Sequence, residues 1–372
     1  MDVMNIDLIF SMLTVFCICA VIVSVLIPLI VRYAVRNNIY DTPDARKVHS
    51  GNIPRLGGLA FFPAIFFALL LIFSTHIPYV TKALSDTDFP LKDFLCVGAG
   101  GFIVFVTGIM DDFREVRYRH KFIAQILAGL MLCIGGIWVN DLHGFCGINQ
   151  IPMWLGMPLT VLLVVLIINS INLIDGIDGL ASGLCILGIG VYTLNFTTIG
   201  YNRYALLGMA TLGCLIPFYL FNVFGKPEHK TKVFMGDTGS LVIGYLMAFF
   251  AIRVSTLDGP TRNIPLYFVS SYSILLVPVL DVVRVFYKRI LKGKNPFLPD
   301  KTHIHHKFLD LGFSMRQARW MIFMVSVTCY ALNIMLANNY VNVTFIVLID
   351  VVLWCVFQSW LTSMIVKKDK QI

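Results

Sequence analysis

Blocks of apolar residues, each near the ~20 that cross a bilayer as a helix, follow one another along most of this chain. They run roughly over 8–31, 57–75, 93–110, 122–140, 156–174, 179–198, 204–222, 239–255, 265–287, 320–337 and 343–366. The pattern predicts an all-α polytopic integral membrane protein with about eleven transmembrane helices, since a helix satisfies its own backbone groups inside lipid. Glycine and proline inside several blocks are compatible with this, because spanning helices tolerate both. The first block begins near Leu8, with no basic region before it and no small-residue cleavage site after it, so it is read as a retained span. No polar stretch is long enough for a separate soluble domain, and residues 1–372 are expected to form one membrane-embedded unit.

Composition narrows the class. The chain is 58% apolar and 13% charged, with a mean hydropathy of +0.80. A soluble domain needs a more polar surface than this mixture supplies. The basic residues then set an orientation. Of 29 Lys and Arg, 23 fall in alternate loops near 32–56, 111–121, 223–238 and 288–319 and in the C-terminal tail. Five fall in the intervening loops (Lys82, Lys92, Arg203, Arg253 and Arg262), and Arg284 lies within a block. The positive-inside rule makes the richer set cytoplasmic, with the N-terminus outside and the C-terminus inside. The net charge of +8, spread over short loops, reads as orientation and attraction for an anionic substrate, and no nucleic acid is expected as a partner. Nine cysteines, most of them inside apolar blocks and none in a zinc-type spacing, read as small buried hydrophobes.

Four polar segments interrupt the apolar pattern, and all four fall on the predicted cytoplasmic side, the short 175–178 turn included. Only basic residues entered the sorting, so the agreement is independent of it. Carboxylates near hydrocarbon are costly and mark candidate sites. Asp111 and Asp112 end the third block, where a carboxylate opposes the helix dipole. Adjacent like charges raise one pKa, which suits a proton acceptor and leaves the neighbour to cap or orient. Asn172, Asp175 and Asp178 recur at every third residue, with Asn169 one turn above. On a continuing helix they share a face of hard oxygen donors for Mg²⁺ or acceptors for a sugar or base, although a polar hairpin fits as well. Asp237, beside Gly236 and Gly239, opens the eighth block. It is placed either as an N-cap or as a carboxylate that holds Mg²⁺ together with substrate phosphates. Phe234 either stacks on a planar base or enters the headgroup region. His303, His305 and His306, with Lys and Arg nearby, can balance a diphosphate, and a zinc site lacks a fourth ligand. Lys121 ends a basic run from Arg114 and either anchors to anionic lipid or contacts substrate. Asp281 and Arg284, at i and i+3, are spaced to pair.

At these positions the chain resembles the polyprenyl-phosphate N-acetylhexosamine-1-phosphate transferase family, over nearly its whole length and with several motifs in order. Arg46, Lys47 and His49, then Pro54, Arg55, Gly57 and Gly58, and finally His303, Ile304, His305 and His306, resemble the branch that starts O-antigen, enterobacterial common antigen or teichoic acid with N-acetylglucosamine-1-phosphate. The sibling of peptidoglycan synthesis, the phospho-MurNAc-pentapeptide transferase, has three consecutive histidines where Ile304 intervenes here. The resemblance implies a Mg²⁺-dependent enzyme (Mn²⁺ substituting) of the bacterial inner membrane, with its site on the cytoplasmic face. It implies transfer of a sugar-1-phosphate from a UDP-N-acetylhexosamine to undecaprenyl phosphate, with release of UMP. Residue by residue it implies Asp111, with Asp112 beside it, as the catalytic carboxylate, and Asp237 and Asn172 as metal ligands. It places Asp175 and Asp178 near the nucleoside and metal and gives Phe234 as the uracil-stacking residue. Lys121 and the histidines His303, His305 and His306 become contacts to pyrophosphate or sugar. The rival from another class is a secondary transporter, whose charges belong at mid-membrane in inverted repeats. Here the acidic residues sit at block ends, and no internal symmetry is evident.

Overall fold

A computed structural model describes residues 6–40, 53–74, 91–256, 264–295 and 302–370. Arg46, Lys47 and His49 of the first-loop motif lie outside the described residues, as do Lys82, Arg262 and Lys301. In chain order the elements are α1 (Ile6–Arg36), a 3₁₀ turn (Gly57–Ala60), α2 (Phe61–Ser74), α3 (Leu91–Arg114) and α4 (Tyr118–Ile134). A hairpin of β1 (Asp141–Phe145) and β2 (Ile148–Gln150) leads to α5 (Met153–Ile174), α6 (Leu180–Ile199), α7 (Asn202–Phe224) and α8 (Gly236–Thr256). The chain finishes with α9 (Ile264–Ser273), α10 (Leu276–Leu291), α11 (Ile304–Asp310), α12 (Met315–Asn338) and α13 (Val343–Asp369). Among the described residues nine helices are long and apolar enough to cross a membrane, and α9 with α10 makes ten if the pair counts as one span. The fold is all-α and multi-pass, as the apolar blocks predict.

Two blocks depart from the expected boundaries. The block at 122–140 ends its helix at Ile134, which leaves α4 with only 17 residues. Gly135 and Gly136, the latter with φ of 87°, turn the chain into the antiparallel β1–β2 hairpin. Ile137 and Val139 are apolar because they are buried, not because they are helical, and the Val139 N–H donates to Thr160 Oγ1 at 2.9 Å. The block at 265–287 is broken between α9 and α10, which meet at 60°. Pro278 explains the break. It has no N–H to offer the Ile274 carbonyl, and its ring crowds that turn. The cysteines also divide. Cys19, Cys133, Cys185 and Cys214 are buried as expected, whereas Cys17 and Cys355 are exposed on the outward faces of α1 and α13. A lipid-facing thiol is as apolar a surface as those positions require.

The bundle is arranged around α8. Its apolar window is 94% buried, against 22–61% for the other long helices, so α8 is the axis and the others are its jacket. A helix apolar on every side belongs in such a place. The helices α3 and α5 pack most extensively on it, with α6 and α9 beside them, while α1 and α7 pair on the flank. The outward faces carry exposed Phe10, Val21, Phe67, Phe102 and Val352, the surface expected against lipid tails. At one end of the bundle α3, α7 and α8 are joined by a buried polar cluster. The Tyr204 hydroxyl donates to Asp93 Oδ2 at 2.9 Å, and Arg253 Nε donates to that hydroxyl at 2.9 Å.

At the other end α3 comes unusually close to the start of α8. A Cβ on Gly108 would stand 2.4 Å from Thr238 Cα and 2.8 Å from its N, both backbone atoms that cannot swing aside. One turn further on, α3 delivers Asp111 and Asp112 to the N-terminus of α8. Gly108→Ala is therefore expected to lower the melting temperature of the detergent-solubilised protein, with an overpacking cost of about 1–3 kcal/mol. Gly98→Ala, whose Cβ meets nothing within 4 Å, should leave it unchanged. Equal melting of the two variants contradicts the close approach.

Candidate active site

The first turn of any α-helix carries N–H groups without intrahelical partners. In α8 two of these are satisfied by a side chain from another helix. Asp112 Oδ1 accepts from the Asp237 N–H at 2.8 Å, and its Oδ2 accepts from the Thr238 N–H at 3.0 Å and the Thr238 hydroxyl at 2.5 Å. Gly236 makes room for this. Its φ is 71°, and a Cβ there would stand 2.0 Å from the Arg55 carbonyl oxygen and 2.8 Å from the Asp112 carboxylate. Arg55 Nη2 in turn donates to the Asp112 carbonyl at 3.0 Å. Backbone bonds lace the Arg55 segment to the strand-like approach to α8. The Phe234 N–H donates to Pro54 O at 2.8 Å, Gly57 N–H to Phe234 O at 3.0 Å, and Gly58 N–H to Met235 O at 2.9 Å. Phe234 itself is half-buried and held in place through both of its backbone groups.

With Asp112 turned toward α8, Asp111 faces elsewhere. Its Oδ2 lies 2.5 Å from Lys121 Nζ, and its Oδ1 accepts from the Val116 N–H at 2.7 Å. Lys121 also reaches Asp237 Oδ2, at 3.4 Å. Two carboxylates from α3 and α8 thus share one ammonium from α4. Asp237 keeps 27% of its side chain exposed and Lys121 24%, so the group opens outward. On the far side of Asp237, Asn172 Nδ2 donates to Asp237 Oδ1 at 2.5 Å and to Ser240 Oγ at 2.8 Å. Asn172 thereby presents its amide N–H groups, and not its oxygen, to the carboxylate. One turn deeper, Asn169 and Gln125 exchange amide hydrogen bonds at 2.6 and 3.5 Å and fix α5 against α4. Among the described residues no three His, Cys, Asp or Glu side chains are grouped to hold an ion by themselves.

The Asp175–Asp178 segment does not keep the helical face that its spacing predicts. The helix α5 stops at Ile174, Asp175 is its C-cap, and the chain turns through Gly176 to Gly179, whose φ is 74°. The Gly179 N–H is taken by Asn222 Oδ1 at 2.7 Å, which fastens the turn to α7. Asp175 stays close to Asp237. Burial first, then the Asp178 and Asp237 carboxylates, push it up to about 7. Asp178 instead pairs with Lys232 of the α7–α8 loop, and its carbonyl accepts from Arg319 Nη1 at 2.7 Å.

The histidine segment reaches the site through this turn and not through Lys121. His305 is buried with its ring against Gly176, where a Cβ would stand 2.2 Å from Nε2. Burial, then the neighbouring His306 and His303, hold His305 down to about 3, so its ring is neutral at physiological pH. His303 stacks parallel to it, with ring centroids 5.9 Å apart, and the tilted His306 ring lies 4.3 Å away. Several contributors carry little sequence signal. Thr238, Gln125, Lys232 and Arg319 act through partners 44 to 141 residues away. Arg55 stood out only as part of its motif.

The segment that carries most of these residues is also the one shared with known proteins. The family model for glycosyl transferase family 4 matches residues 94–255, from the start of α3 to the end of α8. Across 340 residues, 90% of this chain and 90% of the relative, the sequence is 30% identical to an undecaprenyl-phosphate alpha-N-acetylglucosaminyl 1-phosphate transferase of Haemophilus influenzae. A Yersinia pestis protein of the same description is 29% identical over 352 residues, covering 91% of this chain and 90% of its own. A probable undecaprenyl-phosphate N-acetylglucosaminyl 1-phosphate transferase of Bacillus subtilis is 28% identical over 312 residues, covering 83% and 80%. With similarity of that extent running through every helix that bears on the Asp111, Lys121 and Asp237 cluster, the chain belongs to glycosyl transferase family 4.

Proposed function

We propose that this protein transfers N-acetylglucosamine-1-phosphate from UDP-N-acetylglucosamine to undecaprenyl phosphate and releases UMP. The observation that carries the reading is the pair of carboxylates, Asp111 and Asp237, held across the Lys121 ammonium at an open end of a membrane bundle. A soluble nucleotide-sugar and a lipid phosphate can meet there, each keeping its preferred solvent. The names of the relatives support the acceptor and the sugar-1-phosphate. The uridine nucleotide is inferred from the family resemblance, since the chemistry itself asks only for a diphosphate whose nucleoside monophosphate can depart.

In the proposed reaction an oxygen of the lipid phosphate attacks the phosphorus that bears the sugar. The bond from that phosphorus to the bridging oxygen breaks, and UMP departs. Asp111, whose Oδ2 faces the open group, is placed to take a proton from an incoming lipid phosphate. Lys121 offsets charge on the attacking and leaving oxygens, and Asn172 holds Asp237 in its rotamer through the 2.5 Å bond. Asp112 takes no part in the chemistry in this scheme. Its oxygens are committed to the α8 backbone, and it positions Asp237.

The donor set supports Mg²⁺. Asp237 and Asp111 are hard oxygen donors, and among the described residues no three His, Cys, Asp or Glu side chains converge to bind an ion without substrate. Mg²⁺ commonly takes one or two carboxylates and fills its shell with water and substrate phosphates. Bound to Asp237 with Asp111 beside it, Mg²⁺ would supply neutralisation of the diphosphate. Asp175 lies beside Asp237, and Phe234 precedes Asp237 by three residues, so we assign the uridine end to the side of the Asp175–Asp178 turn. The excess of basic residues in the loops at this end supports a cytoplasmic location in the bacterial inner membrane.

Asp237→Ala and Asp111→Asn should each lower the rate of UMP release from UDP-N-acetylglucosamine plus undecaprenyl phosphate by about a hundredfold to ten-thousandfold, the scale of one positioned acid–base or electrostatic group. Chelation with EDTA should stop the reaction, and Mg²⁺ or Mn²⁺ should restore it. Undiminished turnover in either variant, or in EDTA, removes the corresponding role. For orientation, a cysteine at Lys230 should be shielded from impermeant maleimide in intact cells while one at Asn339 is labelled. The opposite labelling would place the site outside.

A further inference from the structure

The histidine segment is held by a buried carboxylate that the proposed chemistry does not use. Asp281, on α10, is 1% exposed. Its Oδ2 lies 2.9 Å from His303 Nδ1, both of its oxygens lie 3.2 Å from the Ile304 N–H, and Oδ1 accepts from Arg284 Nη2 at 2.7 Å. Arg284 also donates to the Thr302 carbonyl. One side chain therefore gathers the backbone and the ring at the point where the segment begins.

Mere attachment does not call for this arrangement. Ile304 and Phe308 are already buried, at 0% and 1% exposure, in an apolar cluster with Leu180, Ala318 and Ile322. A buried charge is a costly anchor where apolar packing is available. What a carboxylate adds is chemical. It accepts hydrogen bonds only, so the nitrogen facing it must carry the proton. His303 is thereby set as the Nδ1–H tautomer, with Nε2 left as the nitrogen able to meet a ligand. The ring so fixed stacks parallel on His305, and His305 lies against Gly176 in the Asp175–Asp178 turn. A continuous path of contacts thus runs from α10 to the side of the site assigned to the nucleotide-sugar.

We propose that Asp281 is a positioning residue for the donor, fixing through His303 the tautomer and pose of the histidine segment against the Asp175–Asp178 turn. The proposal rests on the transferase reading for its kinetic consequence and on geometry alone for its tautomer. Asn at this position keeps the shape and can still accept from the Ile304 N–H. Its amide donor then faces the ring and favours the opposite tautomer.

The test uses the full-length protein in lipid nanodiscs with ¹⁵N-histidine, His303 being assigned by loss of its signals in His303→Gln. Wild type should show Nδ1 protonated and Nε2 unprotonated, and Asp281→Asn should reverse the two. In the UMP-release assay Asp281→Asn should lower kcat/KM for UDP-N-acetylglucosamine by about tenfold to a hundredfold, the scale of one lost charge-assisted hydrogen bond, while KM for undecaprenyl phosphate stays unchanged. Asp281→Asn combined with His303→Gln should be no worse than His303→Gln alone. Wild-type His303 protonated on Nε2 overturns the proposal, even where Asp281→Asn fails to fold. So does an equal loss toward both substrates, or a multiplicative loss in the double variant. If wild type releases no UMP, the transferase reading fails, and the nitrogen signals still decide what Asp281 does.

Discussion

The arrangement depends on how the N-terminus of α8 is satisfied. Most of α8 is enclosed, Thr238 in its first turn is fully buried, and its own sequence supplies no side-chain cap before Gly236, so an acceptor must come from elsewhere. The acceptor comes from Asp112 at the end of α3, and only the absence of a Cβ at Gly108 lets the two helices approach closely enough. This inter-helix cap fixes the axis of the bundle to its neighbour at the end where the polar segments gather. It also answers why a carboxylate sits at a helix C-terminus, where the dipole of its own helix disfavours it. The positive end of a second helix dipole faces it.

From that constraint the site follows. Because Asp112 is turned to α8, Asp111 must point around the other side of α3, toward Lys121 on α4. Because the cap holds the first turn of α8, Asp237 stands at a fixed height beside them, with Asn172 bracing it from α5. Four helices thus contribute one side chain each to a small, partly open cluster. Ion pairs and hydrogen bonds hold these side chains in place without substrate, the preorganisation that electrostatic stabilisation of a phosphoryl group requires. The side proposed for the nucleotide is built differently, from the turn after α5, where His305 of the short α11 packs against Gly176 and Arg319 of α12 donates to the Asp178 carbonyl. The contrast fits the proposed division between a preorganised reacting centre and a surface that admits and releases a soluble donor.

Much of this was legible in the sequence because the membrane makes polar residues conspicuous. Asp111, Asp112 and Asp237 are visible as carboxylates at the ends of apolar blocks, and the sorting of basic residues puts them at one end without any knowledge of contacts. Adjacency shows that Asp111 and Asp112 face different ways, yet not which of them caps, since that depends on Thr238 lying 126 residues away. The run of apolar residues through Val139 hides the end of α4 because burial and helicity give the same signal there. At Asp175 and Asp178 the three-residue spacing is helical, but Gly176 and Gly179 break it and send Asp178 to Lys232 and Arg319. Asp281 and Arg284 read correctly as a pair, while the ring and backbone that Asp281 also holds belong to a segment more than twenty residues on.

The most direct measurement compares thermal melting and UMP release for Asp111→Asn and Asp112→Asn side by side. If the neighbouring carboxylates divide the work as described, Asp112→Asn loses stability on the scale of a helix cap, about 1–2 kcal/mol, and loses activity with it. Asp111→Asn then melts like wild type and fails only in turnover. The reverse pattern, with Asp111→Asn unstable and Asp112→Asn stable but inactive, would mean that Asp112 faces the reacting phosphate and that the α8 cap is not what sets the site.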